Sequence, residues 1–157
     1  MQENDTGRQT AESGRIDYSV LNKAVGYRLR IAQLQVFQDF AEAFTEDGLR
    51  PADFSVLLII SENPGLKQRE VAEALGIQRA NFVAIADNLE QRGLAERRRT
   101  LDDRRILRFY LTEQGKTFVA KMLETWHDHE EKIISRLGGE AARDQLLELL
   151  SRLTSHR

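Results

Sequence analysis

The stretch VAEALGIQRANFVAIADNLEQRGLAERRRT, Val71–Thr100, decides the fold. It holds two helical patterns parted by Gly76, then a stop at Gly93, then a switch to a period of two. The first pattern belongs to a short helix expected at about Lys67–Leu75. The second runs from about Arg79 to Arg92, and its steps of three and four residues gather Phe82, Ile85, Ala86 and Leu89 on one inward face. Gly93 ends it, because glycine adopts the left-handed conformation of a helix terminus without a Cβ penalty. Beyond it, Leu94–Thr100 and Ile106–Leu111 alternate and read as two strands. Leu107, Phe109 and Leu111 share one face of the second strand, with Ile106, Arg108 and Tyr110 on the other. The polar Asp102-Asp103-Arg104 makes the turn between them.

Upstream, Pro51 suits the first turn of another helix, whose Phe54, Leu57, Leu58 and Ser61 share a face and which Asn63-Pro64-Gly65 stops. Further upstream, Leu21, Val25, Leu29, Ala32, Val36, Phe40 and Ala43 recur at helical steps over about Asp17–Phe44, and Gly48 breaks the pattern. A helix of ~28 residues reaches ~40 Å, more than one small domain covers, so a partner is implied. Downstream, Thr112 is a good N-cap and Glu113 favours the helix start. That helix extends to about Leu137 with Phe118, Met122, Trp126, His129, Ile133 and Leu137 in one stripe. Gly138-Gly139 separates it from a last helix carrying Leu146, Leu149, Leu150 and Leu153. The fold expected is mainly α with a small β-hairpin wing. A winged helix-turn-helix lobe occupies 49–111, and 15–48 with 112–157 form a helical dimerisation region. The polar arm 1–14 is expected to be disordered.

The chain has 157 residues, 41% apolar and 31% charged, which fits one soluble domain with a real core. No apolar run approaches the ~18–20 residues of a membrane helix, and the N-terminus lacks the layout of a secretory signal, so a cytoplasmic location is expected. There is no cysteine, which excludes disulfides, thiolate metal sites and thiol redox sensing together. The net charge of −2 speaks against nucleic acid, but its distribution does not. Residues 50–111 carry 11 basic and 9 acidic side chains, and Arg92–Arg108 carries 7 against 3. Screening beyond roughly 8–10 Å makes that local basic focus matter more than the total.

Helix, glycine turn, helix and basic hairpin together form a DNA-reading layout. The second helix of the pair fits the major groove, and its outward residues are Gln78, Arg79, Asn81, Val83, Ala84 and Asn88. Gln, Arg and Asn side chains hydrogen-bond base edges, while Val83 and Ala84 can touch thymine methyls. The hairpin arginines Arg97, Arg99, Arg104 and Arg105 can lie along the backbone or in a narrow minor groove. A run such as Arg97-Arg98-Arg99 is in itself more often a solvated face; it is the joint pattern that points to DNA.

At these residues the chain resembles the MarR family of bacterial transcriptional regulators. The resemblance rests on Val71–Ile77, on Asn88-Leu89-Glu90-Gln91-Arg92-Gly93-Leu94-Ala95-Glu96-Arg97, on Asp102-Asp103-Arg104-Arg105 and on Leu111-Thr112-Glu113-Gln114-Gly115, and spans about Asp17–Leu153. It implies a homodimer joined through the terminal helices, bound to double-stranded DNA at a near-palindromic operator. It implies that Arg105 enters the minor groove while Asp103 orients the wing. At Val83 and Ala84 the chain departs from members that carry a hydroxyl residue and a base-contacting Arg there, which shifts weight to Asn81, Arg79 and groove shape. The resemblance also implies an effector cavity between the dimerisation helices and the DNA-binding lobe. Tyr27, Arg28 and Arg30 are the candidates to line it, since an Arg pairs bidentately with a carboxylate. Asn63-Pro64-Gly65-Leu66 and Val83-Ala84 resemble members that answer to aromatic acids or their coenzyme A thioesters.

His127, His129, Glu130 and Glu131 could be read as a metal cluster, but His129 sits in the apolar stripe, where a histidine is usually a core or interface residue. No nucleophile–base pair, phosphate loop or paired carboxylates stand out, so no catalytic residue, metal or cofactor is assigned and the chain is not expected to be an enzyme. Three readings follow: a repressor released by a small anionic, aromatic ligand; a constitutive DNA-binding protein; and a winged-helix module that docks a protein partner.

Overall fold

The computed structural model describes residues 16–99 and 106–155, and divides into two compact units, the chain up to Gln35 and Val36–Arg157. The N-terminal arm 1–14 and the wing tip, with Asp103, Arg104 and Arg105, lie outside the described residues.

In the first unit a 3-10 turn, Leu21–Lys23, precedes the helix α1, Val25–Ala43, which ends in the second unit. This corrects the single helix expected from Asp17. Asp17 Oδ1 accepts the Ser19 N–H at 2.8 Å, a local turn that competes with the helix. Ala24 is then extended at φ −84°, ψ 119°. Val20, Val25 and Leu34 are exposed.

The second unit contains α2 (Pro51–Glu62), β1 (Leu66–Lys67), α3 (Gln68–Ala74), α4 (Arg79–Gln91), β2 (Ala95–Arg99), β3 (Leu107–Leu111), α5 (Glu113–Leu137) and α6 (Glu140–Thr154). Pro51 opens α2 as expected. Asp53, fully buried, pairs bidentately with Arg50 at 2.9 Å through Nε and through Nη2, and this holds the Arg50 guanidinium above its ordinary pKa. The sheet has three antiparallel strands in the order β1-β3-β2. The hairpin pairs Ala95 with Leu111 and Arg97 with Phe109, and the extra strand pairs Leu66 with Phe109. That strand is only two residues long and has no periodicity to read. It forms because Gly65, at φ +86°, lets its N–H donate to the Phe109 carbonyl at 2.8 Å. A Cβ on Gly65 would lie 2.8 Å from the Tyr110 hydroxyl.

The core of this unit has two aromatic centres. Phe40, Phe44 and Phe54 pack together with ring centroids 4.2–5.8 Å apart, with Trp126 of α5 at 6.3 Å from Phe54. Phe82 meets Phe109 edge-on at 5.6 Å, beneath α4 and the sheet. His129 is buried and meets Phe40 edge-on at 5.7 Å, while His127 is exposed. Leu107, expected to face inward with Phe109, is exposed, because it is the first residue of β3, paired with the exposed Arg99 at the end of the hairpin farthest from the buried Ala95–Leu111 pair.

The start of α5 is locked to the end of α4. Thr112 Oγ1 accepts the Gly115 N–H at 2.9 Å and donates to the Gly93 carbonyl at 2.6 Å. A Cβ on Gly115 would stand 1.9 Å from the Leu94 carbonyl oxygen, so only glycine permits this approach. The Leu-Thr-x-x-Gly run is thus the seam between hairpin and helix. By contrast α6 buries no residue, and Leu147, Leu149 and Leu153 are each more than half exposed. Among the described residues no helix is long and apolar enough to cross a membrane.

Candidate nucleic-acid interface

The helix α4 presents the face that the sequence predicts. Phe82, Ile85, Ala86 and Leu89 are buried, which pins the rotation of the helix. Gln78, Arg79, Asn81, Val83 and Ala84 are then exposed, and Asn88 is half-buried one turn beyond Ala84. Thirteen residues give a rod ~20 Å long, of a width that the major groove admits. The first turn of α4 carries no acidic residue, so its positive dipole end is not neutralised there and favours a phosphate.

Two hollows flank α4. In one, Gln78, Asn81 and Ala84 share walls with Arg50, Ala52 and Gly76. In the other, Arg79 stands with Lys67, Arg69 and Ile106. Arg50, Lys67 and Arg69 are basic residues that the sequence pattern did not single out. Nothing in their spacing could have done so, because α2, α3 and the sheet bring them beside α4 only in three dimensions. Arg69 is paired with Glu73 at 2.6 Å.

The basic run of the hairpin divides in two. Arg97 lies on the strand face that covers Phe109, its guanidinium 5.2 Å above the ring, and its side chain is 19% exposed. It pairs with Asp87 at 2.6 Å and with Glu90 at 2.7 Å, both on α4. Arg97 is therefore engaged within the chain, a different placement from the outward DNA contact expected of it. Arg98 points to the opposite face, over Tyr110 at 4.6 Å, and pairs with Glu96, whose hydrogen bond holds its guanidinium above the ordinary pKa. Arg99, at the end of β2, is exposed. Arg108 donates to the Gly65 carbonyl at 2.6 Å, and Arg92 to the Asp47 carbonyl at 2.8 Å. Three of the arginines that make the hairpin region basic thus brace the lobe, and Arg99 at the end of β2 is left exposed.

Of the candidate effector residues, Tyr27 is half-buried on α1 and Arg28 and Arg30 are exposed. Among the described residues no three His, Asp or Glu side chains are grouped as a metal site would need.

The arrangement has close counterparts. The family model described as "MarR family" matches residues 47–106, which covers α2, α3, α4 and the first hairpin strand β2 and stops just before β3. A putative transcriptional regulatory protein for the hcr operon of Thauera aromatica is 32% identical over 130 residues, 82% of this chain and 78% of that protein. The transcriptional repressor MprA of Escherichia coli K12 is 32% identical over 125 residues, 78% of this chain and 70% of that one. Among solved structures, the transcriptional repressor CouR bound to a 23-mer DNA duplex aligns with a TM-score of 0.83 at 40% identity, covering 89% of this chain and 99% of that one. CouR bound to p-coumaroyl-CoA aligns with a TM-score of 0.83 at 38% identity, covering 91% and 100%.

Proposed function

This chain belongs to the MarR family of DNA-binding transcriptional regulators, and from that premise we propose that it is a homodimeric repressor that a small aromatic ligand releases from its operator. The observation that carries the reading is the likeness to CouR over nearly the whole of both chains, in a DNA complex and in a complex with an aromatic thioester. The face of α4 supports it, with Gln78, Arg79, Asn81, Val83 and Ala84 turned outward by a buried opposite face.

Mechanistically, each recognition helix enters a major groove and the two-fold axis of the dimer sets the helices about one DNA turn apart, which makes the operator near-palindromic. Asn81 and Arg79 read base edges, Val83 and Ala84 touch thymine methyls, and Arg99, Arg104 and Arg105 carry the wing to the backbone or minor groove. Arg97 leaves this set, because its charge is already met by Asp87 and Glu90. The effector is an aromatic carboxylate or its coenzyme A thioester, with Arg30, Arg28 and Tyr27 of α1 taking its anionic groups. The ligand acts by binding the form that does not fit DNA better than the form that does. A coupling of about 1–3 kcal/mol loosens the operator 5–150-fold.

The test is a fluorescence-anisotropy titration of the full chain on the DNA upstream of its own gene, with and without p-coumaroyl-CoA, benzoates and hydroxycinnamates. Specific binding that a ligand weakens supports the whole reading. Binding that no ligand moves leaves a constitutive DNA-binding protein, and no binding to any duplex selected from a random library overturns the assignment of α4 as a reading helix.

A further inference from the structure

Two elements of the DNA-binding lobe must meet two different grooves at once. The joint between them is short: α4 ends at Gln91, Gly93 turns the chain at φ +68°, and β2 begins at Ala95. A hinge of this kind, left free, lets the hairpin swing relative to the helix, and freezing it on DNA costs entropy.

A clamp closes the hinge. Glu90 accepts from the Arg97 backbone N–H at 2.8 Å with one carboxylate oxygen and from the Arg97 guanidinium at 2.7 Å with the other. Asp87, one turn earlier on α4, accepts from the other terminal nitrogen at 2.6 Å. The same guanidinium lies on the ring of Phe109, which pairs with Arg97 across the hairpin. β2 is the edge of the sheet, so the Arg97 N–H that Glu90 takes is one of the donors the edge leaves without a strand partner. The side chains of Arg97 and Glu90 are 19% and 29% exposed, and charge-assisted bonds at that depth are stronger and less screened than surface pairs.

We infer that Asp87, Glu90 and Arg97 form a positioning clamp that sets the angle between the recognition helix and the wing, so that DNA affinity depends on two acidic residues that lie on the DNA-reading helix itself. This deepens the DNA-binding reading proposed above. The sign of the effect is its signature. A carboxylate near DNA repels phosphates, so removing one that has no positioning role leaves affinity unchanged or raises it. Removing one that holds the wing lowers affinity.

The experiment measures affinity of the full chain for its selected operator across a salt series, for wild type, Asp87→Asn, Glu90→Gln, Arg97→Gln and Arg97→Lys. The expected result is a loss on the order of 10-fold for Asp87→Asn and for Glu90→Gln, the worth of a charge-assisted hydrogen bond. The slope of log affinity against log salt stays at the wild-type value in all four, since no phosphate contact is lost. Arg97→Lys recovers part of what Arg97→Gln loses, because an ammonium still reaches one carboxylate. Unchanged or tighter binding by the two acid variants overturns the inference. So does a slope smaller by about one for Arg97→Gln, which would make Arg97 a phosphate contact. Amide hydrogen exchange on the same DNA-free variants separates positioning from general support. Faster exchange confined to Ala95–Arg99 agrees with the clamp, and faster exchange spread through α2 and α5 overturns it. Failure of wild type itself to bind any duplex would instead count against the DNA-binding reading.

Discussion

The DNA-binding lobe and the last helix solve the problem of burial in opposite ways. Between Phe54 and Leu111 every helix and the hairpin contribute buried side chains to one continuous core, and Val56, Leu57, Val71, Phe82 and Phe109 are wholly enclosed. In α6 no side chain is enclosed, although Leu147, Leu149, Leu150 and Leu153 are as apolar as anything in the lobe. The lobe is stabilised by its own sequence. The last helix carries a stripe that only another surface can cover, as exposed contiguous apolar area on a soluble protein commonly marks an interface. The difference separates two jobs: a rigid reader, and a surface that in our proposal joins two readers at a fixed spacing.

The largest effect is expected at the seam that makes the lobe rigid. Gly115→Ala gains about 1 kcal/mol of helix propensity in principle. It also drives a methyl to 1.9 Å from the Leu94 carbonyl, a backbone atom that cannot step aside. The net expectation is a loss of about 3 kcal/mol or more, seen as a lower thermal midpoint and loss of operator binding. A midpoint equal to wild type would show that the seam is not rigid.

The second effect falls on the other side of the comparison. Leu149→Ser with Leu153→Ser should leave the secondary structure of the lobe unchanged by circular dichroism and weaken self-association by about 2 kcal/mol, read by sedimentation equilibrium. A stable wild-type monomer at micromolar concentration would break the comparison from this side.

Much of the lobe was legible because its signals are local. The start of the reading helix at Arg79 follows from apolar steps of three and four residues within one short stretch, and Gly93 as its end and Thr112 as the cap of α5 each follow from one residue type at one position. Three features were not legible. The strand Leu66–Lys67 exists only by pairing with β3. The interruption at Ala24 hides inside an apolar spacing that continues through it. Arg97 looks in sequence like any member of an arginine run, and its two partners lie seven and ten residues earlier on another element. Period two alone puts Arg97 and Arg99 on one face; only the position of α4 shows that one is held and the other exposed.

Smaller effects sharpen the picture of the reading surface. Asn81→Ala should cost about 1–2 kcal/mol on the preferred operator and much less on variant sequences, measured by competition between duplexes. Equal losses on every sequence would make Asn81 a general contact. Arg105→Ala should cost the least at physiological salt, and should flatten the salt dependence by about one unit of slope with the dimer intact. An unchanged slope would place that side chain away from DNA.

The central claim is that two self-contained readers are joined by helices that cannot stand uncovered. It is tested most directly by the mass of the full chain bound to its selected operator duplex, measured by sedimentation velocity. Two chains per duplex, with no one-chain complex as protein is titrated in, is the result predicted. A stable complex of one chain with one duplex at full operator affinity would contradict it.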